Sequence, residues 1–180
     1  MSRGPVRETL QLLANDGFVD LRPRQGAFVH VPTIKEVGDF YDIRGALECE
    51  SARLAALRVT PKRTERLKEV VELGRDLFAR GADPQTINRQ ARMHEEITIT
   101  ADNPLLAQML GTLSKRSAWY LGPHAPHRAA AWTEHEEIVD AVVRGDAVAA
   151  AAAMARHNEG ARSNYIALKA NADATAAFGE

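Results

Sequence analysis

His94, His135 and His157 are the residues whose types and spacing give this sequence its clearest chemistry. His135 and His157 flank Gly145-Asp146, and their midpoint is residue 146, a turn by composition. If the flanking segments are antiparallel helices, residues equidistant from that turn lie at the same height. At about 1.5 Å of rise per residue, each ring stands roughly 15 Å from it. Two imidazoles at one level on adjacent helices can converge on a single ion. His94 lies in a different helical segment, with Gln90 one turn before it on the same face. Neutral imidazole suits zinc, nickel, copper or iron, whereas an all-oxygen set suits calcium or magnesium. Histidines from several helices of a bundle can build such a site. Each ring also fits a plain structural role in a satisfied polar pocket, and spacing alone leaves both readings open.

Other residues offer less. His124 and His127 fall in Pro123-His124-Ala125-Pro126-His127, which reads as a solvated loop. Trp119, Trp132 and the methionines read as core or dimer packing. Ala147–Ala155 is apolar but too short to span a bilayer, and it suits a helix packed closely on a neighbour. The sequence shows no phosphate-binding loop, nucleophile elbow or CxxC pair, so enzyme signals are poor. The lone Cys49 excludes an internal disulfide and fits a reducing compartment. With no signal-peptide pattern either, the expected location is the cytoplasm.

The elements that must position the histidines are helical. Thr33-Ile34-Lys35-Glu36 is a capping box after Pro32, opening a segment through about Leu57. Thr60-Pro61, Asp83-Pro84 and Asn103-Pro104 each place a capping side chain before proline at the first helical position. A further helix follows the 122–126 loop, and Gly145-Asp146 ends it and caps the last. The tail past about Ala170 reads as frayed. About six antiparallel helices with short connections make a bundle.

Residues 1–32 have a different texture. Ser2 can cap a helix with Pro5 in its first turn, and Val6, Leu10 and Leu13 repeat at helical spacing up to Asn15-Asp16-Gly17. Two β-like runs follow, 18–21 and 27–31, joined by Arg22-Pro23-Arg24-Gln25-Gly26. A helix followed by a hairpin with a basic tip is the ending of a winged helix. The formal net charge is −1, so any contact with DNA must come from a local patch. The expected fold is therefore mainly α. An antiparallel bundle at 33–180 follows a partial winged helix, one helix plus a hairpin, at 1–32.

Ser2-Arg3-Gly4-Pro5-Val6-Arg7-Glu8-Thr9-Leu10, Asn15-Asp16-Gly17-Phe18-Val19 and Arg22–Val29 resemble the recognition helix and wing of the GntR family. The second part resembles that family's FCD-type effector domain. It does so in Asp42-Ile43-Arg44-Gly45-Ala46-Leu47-Glu48, Met93-His94, Asn103-Pro104-Leu105-Leu106, Arg128, Glu134-His135, Gly145-Asp146 and His157. The resemblance spans about residues 2–168. It implies a homodimeric transcription factor that reads operator DNA and senses a small organic acid. Such domains often do so through a divalent metal held by one aspartate and three histidines.

Carried over residue by residue, the histidines are His94, His135 and His157, and the aspartate position is Gln90. Zinc or nickel is the favoured ion. A metal-free alternative has the same histidines, with Arg44 and Arg128, holding the effector carboxylate directly. Ser2, Arg3, Arg7, Arg24, Gln25 and Gly26 fall where the family contacts DNA. The two helices that precede the family's recognition helix have no counterpart here, so residues 1–180 alone are expected to bind operator DNA weakly. Two rival functions stand beside this one, a stand-alone sensing or dimerisation module and a metal-dependent hydrolase.

Overall fold

A computed structural model describes residues 3–81, 84–121 and 129–177. The chain divides into two compact units, Met1–Thr33 and Ile34–Glu180.

In the first unit, α1 (Arg3–Asn15) leads into β1 (Val19–Arg22) and β2 (Gly26–Val29). Gly17, at φ 77°, lets the chain leave α1. Its N–H donates to Ala14 O at 3.0 Å, and Phe18 N–H donates to Leu13 O at 2.9 Å. These two bonds satisfy carbonyls that the helix end would otherwise leave open. The strands pair antiparallel from Val19↔Val29 to Arg22↔Gly26. Both are four residues long and start or stop one or two residues from the expected runs, because the turn draws on positive φ at Arg24 (62°) and Gly26 (110°). Across the hairpin the Arg22 guanidinium lies over the Phe28 ring, 4.5 Å from its centroid. Val6 and Leu13 of the apolar stripe stay 51% and 37% exposed.

The second unit holds α2 (Ile34–Arg58), α3 (Pro61–Ala79), α4 (Pro84–Thr100), α5 (Pro104–Leu121), α6 (Ala129–Val143) and α7 (Ala147–Ala177). Proline opens α3, α4 and α5, where its missing N–H costs no helical bond. Thr60 Oγ1 accepts from Arg63 N–H at 3.4 Å, and Asn103 Oδ1 from Leu106 N–H at 3.2 Å. The cap expected at Asp83 lies outside the described residues. The expected fraying after Ala170 is not found: α7 continues to Ala177, over a stretch rich in alanine and free of glycine and proline.

The α6–α7 turn is built from its own sequence. Gly145, at φ 74°, sends its N–H to Val142 O at 3.0 Å, and Asp146 N–H reaches Ala141 O at 3.0 Å. Asp146 Oδ1 then accepts from Ala149 N–H at 2.9 Å, capping α7. One residue pair thus ends one helix and starts the next.

The main core joins α2 through α7 around Leu67, Met93, Ile97, Ile138, Val142 and Met154, all under 2% exposed. Ala150 and Ala153 are buried, and their small side chains let α7 lie close to its neighbours. α2 and α7 share the most extensive contact of any two elements. A second cluster gathers Val37, Phe40, Tyr41 and Tyr120, with the Phe40 ring edge-on to both tyrosines.

Candidate functional site

The helices bring the three histidines together. His94 from α4, His135 from α6 and His157 from α7 each offer a ligand atom within 4.8 Å of the other two. Ring centroids are 4.7 Å apart for His135–His157, 5.2 Å for His94–His157 and 5.8 Å for His94–His135. The short α6–α7 turn sets His135 and His157 at one height, and the α4 packing adds the third ring. His135 is 0% exposed and His157 6%, so the rings meet in the bundle interior.

Each ring is held by identifiable neighbours. His157 Nδ1 is hydrogen-bonded to Glu134 Oε2 at 2.9 Å. That bond leaves Nε2 as the nitrogen available to the cluster. Burial pulls the His157 pKa below its usual value, and the Glu134 bond only partly opposes this, so the ring tends to be neutral. Trp132 stands edge-on to His135 with centroids 5.0 Å apart. Gly74 on α3 makes that seat possible, because a Cβ there would come within 2.2 Å of the Trp132 ring.

A cleft of about 400 Å³ opens beside His94, lined by Arg44, Glu48, Thr98, Leu110 and Ser114 among others. Glu48, 5% exposed, puts Oε1 3.0 Å from both Arg44 Nε and Nη2, and 3.1 Å from His94 Nδ1. The last approach is an ion-pair distance without the alignment of a good hydrogen bond. Burial works to raise the Glu48 pKa, but Arg44 and then His94 and His157 hold it well below the carboxylate range. Arg44 donates to Ser117 Oγ at 3.2 Å as well. Burial opposes its charge, and the attraction of Glu48 and Tyr41 outweighs that, raising its pKa.

Arg44 therefore sits at the cleft with its charge already matched by Glu48, whereas sequence reasoning offers it to an effector carboxylate. The side chain of Gln90, and Arg128, Ser2 and the Arg3 side chain, lie outside the described residues. Arg7, Arg24, Gln25 and Gly26 are exposed on α1 and at the hairpin tip. Two site residues escape sequence reasoning. Glu134 adjoins His135 but serves His157, and Glu48 is 46 positions from His94. The only hint is that Glu48 follows Arg44 by one helical turn, a spacing equally common on helix surfaces.

The donor set fits a borderline dication: three imidazoles converge, two of them buried, and a carboxylate oxygen lies close to Nδ1 of His94 and of His157. Unmatched buried polar atoms lie on α2 and α7, the helices that carry Glu48 and His157. Among the described residues, Glu48 Oε2 and both amide atoms of Asn158, the residue after His157, make no hydrogen bond. Native interiors leave few such atoms without a reason.

The chain matches the FCD domain over residues 39–160. It is 27% identical over 160 residues to the HTH-type transcriptional repressor RspR of Escherichia coli K12, spanning 87% of this chain and 70% of that protein. Its fold is similar to that of E. coli McbR/YncC, with TM-score 0.76, 21% identity, and 94% and 82% of the two chains covered. A putative transcriptional regulator GntR from Rhodococcus sp. RHA1 aligns at TM-score 0.70 and 21% identity, covering 93% and 81%.

Proposed function

Because the chain belongs to the FCD-domain branch of the GntR family of transcriptional regulators, we propose that its helical unit senses a small organic acid through a divalent metal. The observation that carries this reading is the meeting of three histidine ligand atoms within 4.8 Å inside the bundle. His94, His135 and His157 would hold the ion, with zinc or nickel suited to imidazole. A bound dication would supply a fixed positive point for a carboxylate oxygen. The roughly 400 Å³ cleft beside His94 has the volume for a small metabolite.

The chain's own residues prepare the site. Burial keeps His157 neutral and able to ligate, and Glu134 fixes which nitrogen turns inward. Arg44 is committed to Glu48 and Ser117, which weighs against Arg44 in the alternative where Arg44 and Arg128 take the effector carboxylate directly; Arg128 lies outside the described residues. The N-terminal unit, with Ser2, Arg3, Arg7, Arg24, Gln25 and Gly26, would serve operator DNA in a cytoplasmic homodimer, residues 1–180 alone binding it weakly or not at all. An effector regulates such a dimer only by binding one of its arrangements more tightly than the other. Named relatives are transcriptional regulators, so the histidines serve sensing rather than hydrolysis. Among the described residues no helix is long and apolar enough to cross a membrane.

Elemental analysis of the purified chain, followed by thermal-shift screening of small organic acids with and without chelator, tests the proposal. The expected result is one equivalent of zinc or nickel per chain, and acid-induced stabilisation that chelation abolishes. A chain that takes up neither ion, even on titration, overturns it.

A further inference from the structure

Glu48 does more than its place in α2 requires. A buried carboxylate is costly unless paired and hydrogen-bonded. If its task were only to neutralise Arg44, the favoured geometry would be a fork, with each oxygen taking one guanidinium nitrogen. Both Arg44 contacts instead go to Oε1, which also lies 3.1 Å from His94 Nδ1, while Oε2 is buried and unmatched among the described residues. Glu48 thus stands between a fixed cation and the histidine cluster.

On the cluster's other side a second carboxylate, Glu134, lies 2.9 Å from Nδ1 of His157 and is hydrogen-bonded to it, whereas Glu48 reaches His94 Nδ1 at ion-pair distance. Histidines that bind metals commonly pass their second ring nitrogen to a carboxylate, which fixes tautomer and orientation.

We propose that Glu48 is a positioning residue of the metal centre, orienting His94 through its contact with Nδ1. The inference rests on reading the cluster as a metal site. Its test compares the full chain with Glu48→Gln and with the double variant Arg44→Met/Glu48→Gln. The double variant removes the buried pair together, so no unpaired guanidinium remains. Zinc affinity is read by competition with a chromophoric chelator. Histidine ring ¹⁵N spectra of the metal-free chains report the His94 tautomer.

Both variants are expected to bind zinc about ten- to a hundredfold more weakly. His94 should hold its proton on Nδ1 in the parent chain and lose that preference in the double variant. A double variant that binds zinc as the parent does, or an unchanged His94 ring spectrum, overturns the inference and leaves Glu48 as the partner of Arg44 alone. A parent chain that binds no zinc or nickel overturns the metal reading and this inference together.

Discussion

Glu134 Oε2 stands 2.9 Å from His157 Nδ1, across the α6–α7 hairpin, although its chain neighbour is His135. One stretch of α6 therefore supplies both a ring to the cluster and the carboxylate that holds the opposing ring. Glu134→Gln keeps the shape but weakens the acceptor. Zinc binding is expected to fall about tenfold to a hundredfold, with little change in the far-UV circular dichroism. Unaltered affinity would show that the 2.9 Å contact does not tune the site.

Removing a ring should act more severely. His135→Ala is expected to abolish stoichiometric zinc binding, because two imidazole donors remain from the three that converge. Elemental analysis after dialysis checks this. The histidine lost here is fully buried, so the variant also loses packing, and chelator-treated parent protein is the proper stability reference.

Acid should release the metal and loosen the fold together. His157 has a folded pKa below the ordinary 6.5, so the unfolded chain binds its proton more readily than the folded one. Its contribution to stability is present above pH 6.5 and is lost as pH falls through the depressed folded value. Metal binding moves the same way, since a protonated ring cannot ligate. Thermal melts of the metal-free chain should show a Tm that drops on going from pH 7.5 to 5.5. A Tm that rises over that interval contradicts the sign.

Gly74→Ala tests the seat of His135 from a distance. The added Cβ would lie 2.2 Å from the Trp132 ring, which is itself 3% exposed and edge-on to His135. The ring is buried and must shift to admit the Cβ, so destabilisation of about 1–3 kcal/mol is expected. Urea unfolding measures it, and Trp132 emission in a Trp119→Phe background reports the displaced indole. A loss under about 0.5 kcal/mol would mean that α3 and α6 separate easily.

The hairpin turn should be similarly intolerant. Gly145 adopts φ 74°, a conformation costing an L side chain about 1–2 kcal/mol. Gly145→Ala is expected to lose that much stability in denaturant melts, and to weaken zinc binding as His135 and His157 lose their shared height.

Much of this architecture was legible because it rests on local rules. Asn103 and Asp146 cap helices where a short polar residue precedes a periodic apolar run. The His135–His157 convergence follows from symmetry about one turn. The same logic fails for Glu48, whose relation to His94 depends on how α2 packs against α4 and leaves no periodic mark. It fails for Arg44 too, since α2 alone shows a cation near the site but not that Glu48 and Ser117 already satisfy it. Glu134 escapes too, because adjacent helix positions point in different directions. That rule separates it from His135 but says nothing about the ring on the next helix.

Helix α2 begins at Ile34, the first residue of the second compact unit, and continues unbroken to Arg58. Glu48 lies fourteen residues along it, about 21 Å from its start at 1.5 Å per residue. No proline interrupts that span, so Glu48 and the residues before it ride on one continuous hydrogen-bonded rod. A displacement at Glu48 would therefore be carried along the rod to Phe40 and Tyr41 of the second cluster, within the same unit.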